Sequence, residues 1–206
     1  MKSLWNRLMV LIFRFDSSDL LTSIKRHDVS RTRRIAKLTR TQFEYVADDT
    51  GCPAMCLAAK EGSVEIINVL LKYGLNPHVP DDKCWFPIHF AAQSGKIDVI
   101  CALVEGGHAD VRRKCPVASC RCKKQSALHV AAEFGQYESA LALLQYGSDV
   151  EATDFQQKTP AQVARDSGNK NIAFAIETFV KTHELSHNEN IVRDKSVLEG
   201  GPKEDM

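Results

Sequence analysis

The chain has 206 residues, 44% of them hydrophobic, with 27 Lys and Arg against 26 Asp and Glu and seven cysteines. That is room for one domain with tails, at an apolar content ordinary for a soluble protein. The net charge of +1 argues against a general nucleic-acid binder, and the odd cysteine count argues against a secreted disulfide framework. Free thiols in a reducing compartment, cytoplasm or nucleus, are the simpler reading. The charge is uneven along the chain. Residues 1–40 hold ten Lys and Arg against three acids, +7, and the remainder holds 17 against 23, −6. Such a block is read as a solvated basic face, with an anion-seeking N-terminus as the alternative.

Residues 1–16 form a basic, apolar segment. MKSLWNRLMVLIFRF carries Lys2, Arg7 and Arg14 and no acid. Its apolar run, Leu8 to Phe13, is six residues, far short of the roughly 20 that cross a bilayer. No small-residue cleavage site follows, as a signal peptide requires. One reading packs Trp5, Leu8, Ile12 and Phe15 of a helix against the first repeat, or leaves the segment disordered. The other makes residues 1–15 a targeting segment, either a mitochondrial presequence or a membrane-peripheral helix.

Residues 17–47 read as a degenerate helical hairpin. Leu20, Leu21 and Ile24 form the apolar face of its first helix, and Val29, Ile35 and Ala36 that of its second. His27 stands between them where later copies carry Gly. Arg31, Arg33 and Arg34 replace apolar or neutral positions of those copies, giving the polar outer face that the end of a stack needs.

Four cleaner copies fill residues 48–179. The second copy has predicted helices over Ala54–Glu61 and Val64–Lys72, with Val64, Ile67, Leu70 and Leu71 on one face and Ser63 as cap. The third has helices over Pro87–Ser94, opened by proline, and Ile97–Glu105, with Asp98 near the positive dipole end. Gly107 then stands where a left-handed closing residue is wanted. The fourth has helices over Ala127–Phe134 and Tyr137–Gln145. The fifth has Pro160–Ser167 and Lys170–Phe179, and Glu177 in place of Leu144 turns its outer face polar. Residues 180–206 are a polar tail. The last helix is expected to run a few residues past Phe179, and disorder is expected beyond, where too little apolar surface remains.

The copies keep a period. Gly62, Gly95, Gly135 and Gly168 step by 33, 40 and 33, and Gly74, Gly107 and Gly147 by 33 and 40. A lone helical hairpin cannot bury its apolar face, so the copies must stack. FPIHFAA, SALHVAA and TPAQVA match a T-P-L-H-x-A opening, and YGLNPHV, GGHADV and YGSDVEA match a G-A-D-V turn. In these motifs residues 48–179 resemble the ankyrin-repeat family. The resemblance implies an all-α solenoid of about five helix-turn-helix repeats with short β-hairpin connections. It also implies a non-enzymatic adaptor or inhibitor that binds another protein on a concave face and needs no cofactor.

Family position carries the binding face to specific residues. The hairpins contribute Trp85, Phe86, Gln125 and Lys158, and the ends of the first helices contribute Gln93 and Phe134. Phe155 stands near a hairpin tip, where an aromatic is unusual. Trp85 is the leading residue, since Trp is over-represented among binding hot spots; its alternative is packing on a neighbouring hairpin. His89 and His129 hold the motif His, which in the family bonds within and between repeats. No phosphate-cradling glycine loop, G-x-S-x-G or H-E-x-x-H is present, so no enzyme is expected.

The 40-residue step inserts seven residues within Arg112 to Gln125. That finger reads RRKCPVASCRCKKQ, with six basic residues and no acid. Insertions in repeat proteins fall on one face, often the binding face, so Arg112, Arg113 and Lys123 are expected to touch the partner. Cys115, Cys120 and Cys122, with His108, are the candidates for a metal, but C-x4-C-x-C fits zinc poorly and none is expected. The basic flanks also resemble a two-part nuclear import signal. Elsewhere the pattern is eroded. The hairpin glycine survives only as Gly51, with Cys84, Lys124 and Gln157 in its place later, and Pro53, Ala54, Met55 and Cys56 replace T-P-L-H. Those losses of turn and capping chemistry predict a modestly stable domain, or one helped by its partner.

Overall fold

The computed structural model describes residues 17–39, 47–114 and 124–182. The N-terminal segment, the polar tail beyond 182, and the centre of the finger with Cys115, Cys120, Cys122 and Lys123 lie outside them.

Helices come in pairs. They are α1 (Ser17–Lys25), α2 (Val29–Thr39), α3 (Ala54–Glu61), α4 (Val64–Lys72), α5 (Pro87–Ser94), α6 (Ile97–Cys101), α7 (Ala127–Glu133), α8 (Tyr137–Gln145), α9 (Pro160–Asp166) and α10 (170–182). The predicted β-hairpins reduce to two isolated antiparallel bridges among the described residues, Ala47 with Pro53 and Lys114 with Ser126. The second of these closes the base of the finger.

Two rows result. The first helices, α1, α3, α5, α7 and α9, pack on one another in order, and the second helices α2, α4, α6 and α8 do the same behind them. The first row is built on buried alanines, among them Ala54, Ala58, Ala91, Ala92, Ala131, Ala132 and Ala164. The second row buries Ile66, Ile67, Leu70, Val99, Ile100, Leu103, Leu143, Leu144, Ile172 and Ile176. Alanine lets helices approach closely, and the first helices pack more extensively on each other than the second helices do. The first-helix side is therefore the inner side of the stack. One apolar cluster runs from Leu20 to Ile176, so no repeat closes a core of its own. Each fully buried Leu or Ile contributes about 1.5–3 kcal/mol through removal from water. At the N-terminal end the buried hydroxyls of Ser23 and Thr32, 2.8 Å apart, tie α1 to α2.

Between the helices of each pair, the closing residue is left-handed: Gly62, Gly95, Gly135 and Gly168, and in the first pair His27 at φ 53°. Each sits beside a capping bond that spans five residues, such as Lys96 N–H to Ala91 O at 3.1 Å and Asp28 N–H to Ser23 O at 2.9 Å.

The third repeat departs from the sequence expectation. Gly107 has φ −103°, and His108 takes the left-handed conformation at φ 52°. After the second helix, Leu75 N–H bonds Leu70 O and Ser148 N–H bonds Leu143 O, a span of five. Here Ala109 N–H bonds Leu103 O at 2.9 Å, a span of six. The extra residue is absorbed by a π-helical turn, Ala102–Gly106, that continues α6. The equivalent positions are thus Gly74, His108 and Gly147, with steps of 34 and 39. Gly107 still has a reason to be glycine, because a Cβ there would lie 2.7 Å from Leu103 O.

Candidate partner-binding face

The face is built on hairpins that the sequence holds with aspartates. Asp48, Asp81 and Asp154 each accept two backbone N–H bonds, from the residues two and four places on. In the third repeat, Asp81 Oδ1 takes Lys83 N–H at 2.9 Å and Trp85 N–H at 2.7 Å. The backbone N–H of Asp81 returns a bond to Trp85 O at 2.9 Å. Between these contacts the chain must turn left-handed. Gly51 does so at no steric cost, while Cys84 and Gln157 do so at φ 64° and 61°; Lys124, in the corresponding place before Gln125, is left-handed too at φ 53°. The eroded glycines therefore left the backbone unchanged and moved the cost into strain, about 1–2 kcal/mol each.

A second set of bonds joins each hairpin to the repeat before it. His89 is buried; its Nδ1 accepts Phe86 N–H at 3.1 Å, which leaves Nε2 to donate to Gln125 O at 3.2 Å. His129 repeats the pattern, with Nδ1 against Ser126 N–H at 3.2 Å and Nε2 donating to Lys158 O at 3.0 Å. Cys56 occupies the same place in the second repeat, and its thiol donates to Trp85 O at 3.6 Å. The three carbonyls so held belong to Trp85, Gln125 and Lys158, the hairpin positions that the family presents to partners. Burial lowers His89 to about 4, and lowers His129 as well, so both rings are neutral near pH 7. With both ring nitrogens committed, neither histidine is placed to exchange a proton with a bound molecule.

The predicted site residues divide. Trp85 is half-buried, edge-on to Phe90 with centroids 5.3 Å apart and 6.0 Å from the His89 ring. Phe134 and Phe155 stand out at 47% and 63% exposure. Arg112 is exposed and its Nε donates to Gly147 O at 3.0 Å, tying the finger's root to the next turn. Lys158 is half-buried and pairs with Asp166 at 2.7 Å along α9. Gln93 is half-buried, and its carbonyl accepts the side chain of Gln136 at 3.0 Å.

Two of the predicted positions are buried. Phe86 is 3% exposed: it stands at the N-cap position of α5 with no side-chain cap bond, and its ring turns into the core while the exposed Arg113 covers it at 4.6 Å. Gln125 is 5% exposed and spends its side chain on Glu133 at 2.7 Å. Neither side chain lies open on the surface. Phe90 was missed. Its equivalents Leu57, Val130 and Val163 are buried, and the larger ring at that helix position packs on the core but stays only partly buried beside Trp85. Among the described residues no three His, Cys, Asp or Glu side chains converge as metal ligands.

Comparison with known proteins agrees with this geometry. The ankyrin-repeat profile matches three overlapping stretches, residues 23–115, 55–154 and 88–176. Human ankyrin repeat and SOCS box protein 3 is 33% identical over 109 residues, 53% of this chain and 20% of that protein. Human ankyrin repeat domain-containing protein 53 is 33% identical over 155 residues, 68% of this chain and 28% of that protein. Mouse protein phosphatase 1 regulatory subunit 27 is 26% identical over 87 residues, 42% of this chain and 56% of that protein. The chain thus spans about a fifth of the length of the first of these relatives. The stacked hairpins, their stitching histidines and the matched stretches place the chain in the ankyrin-repeat family of protein-interaction domains.

Proposed function

We propose that this chain is a non-enzymatic adaptor or inhibitor that holds another protein across the first-helix side of the stack and its hairpin tips. The observation that carries the proposal is the Trp85–Phe90 pair. Two large rings meet edge-on, each packed against the core yet only partly buried, on a backbone held from both sides by Asp81 and from behind by Cys56. A rigid, half-desolvated aromatic pair costs little ordering entropy on binding, which favours it as an anchor. Exposed Phe134 and Phe155 extend apolar surface toward the C-terminal repeats. One relative is by name a regulatory subunit of a phosphatase, which suits such a role. Buried thiols at Cys52 and Cys56 suit a reducing compartment, cytoplasm or nucleus.

The test is capture by the immobilised full chain, compared with Trp85→Ala and Phe90→Ala. A protein retained by the parent chain and lost from Trp85→Ala supports the proposal. A retained set identical for all three chains would contradict it. Replacing the finger by a short turn should keep the fold and weaken capture.

A further inference from the structure

The described root of the finger, residues 110–114 and 124, carries a one-sided charge. Arg112, Arg113 and Lys124 are exposed and Lys114 is half-buried. The acid among them is Asp110, and its Oδ1 accepts the Arg112 N–H at 2.9 Å. Among the described residues, none of the four cations is paired with a carboxylate. Arg113 stands where the neighbouring repeats bury Val79 and Ala152, at the same steps of 34 and 39 as His108. Its longer side chain reaches the surface instead, with the guanidinium over the Phe86 ring at 4.6 Å. The root is also joined to the Trp85 hairpin. The Trp85 ring lies 6.0 Å from that of His89, and the His89 ring lies 5.8 Å from that of Phe86, which Arg113 covers. His89 donates to Gln125 O, next to Lys124.

We propose that the protein segment held at the Trp85 face is acidic. Its carboxylates meet Arg113 and Lys124, and an apolar side chain beside them meets Trp85 and Phe90. This rests on the reading of that face as one that holds a protein. A guanidinium has five N–H donors in a fork that matches the two oxygens of a carboxylate. Packing over Phe86 already orders Arg113, so little side-chain freedom is lost when it pairs. Lys114 Nζ gives one N–H to Thr153 O at 3.3 Å and has two more to give. Arg112 Nε donates to Gly147 O, which leaves its terminal N–H groups. The patch is short. On the hairpins before it, Asp49 and Asp82 are exposed, and the whole chain is near neutral at +1. A nucleic-acid backbone following the row of hairpins would run into those carboxylates, whereas a short acidic segment ends within the patch. The chain's membership in a family of protein-interaction domains favours the same choice.

A random peptide library displayed on phage and selected on the immobilised full chain tests it. Enriched peptides should be rich in Asp and Glu and carry a large apolar residue. Their affinity should fall with added salt. Arg113→Gln and Lys124→Gln should each weaken them about fivefold. Lys124→Gln, at an exposed position, should leave the melting temperature unchanged. Trp85→Ala should weaken the same peptides. Neutral or basic peptides that are lost from Trp85→Ala would overturn the acidic segment and leave the reading of the face intact. Acidic peptides indifferent to both charge variants would overturn it as well. Peptides that bind Trp85→Ala as tightly as the parent would overturn the reading of the face and this proposal with it. Enrichment of nothing would overturn this proposal, and capture by the full chain then judges the face alone. Duplex DNA binding more tightly than the acidic peptides at equal charge would overturn it in favour of nucleic acid.

Discussion

His89 and Gln125 meet across the boundary between the third and fourth repeats, the imidazole Nε2 donating to the carbonyl at 3.2 Å in a fully buried contact. The same ring holds the N–H of Phe86 at its own helix start. One side chain thus sets the entry of one helix and the seat of the next hairpin, across the base of the finger.

His89→Ala should therefore cost stability out of proportion to its size. It leaves a buried N–H and a buried carbonyl unpaired, about 1–3 kcal/mol each, and opens a cavity. Urea unfolding should show a loss of about 3 kcal/mol. A loss under 1 kcal/mol would mean that water replaces both bonds.

The histidines also predict acid sensitivity. His89 has its folded value lowered to about 4 from the model-peptide 6.5, by burial. The unfolded chain then binds the proton first, so the stabilisation is complete above 6.5 and is lost as pH falls toward 4. The slope in that window is about 1.4 kcal/mol per pH unit for one such group. His129 adds to it in the same direction. Burial tends to raise Asp48, but hydrogen bonds from Thr50 and Cys52, with the Lys25 ammonium, outweigh it and hold it at about 2. Its contribution is present above 3.8 and is lost as pH falls from there to 2. Unfolding measured from pH 7 to 3 should show the histidine window first, and the window should narrow in His89→Gln.

The strained turns can be relieved. Gln157→Gly and Lys124→Gly place glycine where φ is 61° and 53°, at exposed positions. Each should gain about 1 kcal/mol, raising Tm by about 2–4 °C. Gly95→Ala should do the reverse, because φ is 71° and its Cβ would sit 2.4 Å from Gln136 Oε1.

Deleting Gly106 should convert the π turn into a regular α-helical turn. The bond from Ala109 to Leu103 would then span five residues, as in the second and fourth repeats. Helical circular dichroism should hold and the melting temperature should stay within about 2 °C. A large drop would show that the wide turn itself is needed where Gly107 meets Leu71 and Pro77.

Periodic glycines and the T-P-L-H-like openings made the helical pairs legible, since a left-handed closing residue leaves a mark in sequence. His27 was readable as a substitute for Gly62 because the flanking apolar positions stayed in register. His108 was not, because adjacent Gly106 and Gly107 offered a better residue for the left-handed place one step early. The site was less legible than the fold. Phe86 and Gln125 occupy hairpin positions that the family exposes, yet a missing polar cap turned Phe86 inward and Glu133 drew Gln125 along its helix. Phe90 escaped notice because its position is a core position in the other repeats.

Binding and melting measured together on Trp85→Ala test the central claim most directly. With a captured partner in hand, calorimetric titration should show affinity at least tenfold weaker, as a hot-spot truncation gives, with Tm within about 2 °C of the parent. Unchanged affinity, or a Tm that falls in step with affinity, would contradict the claim that this ring belongs to the partner and not to the core.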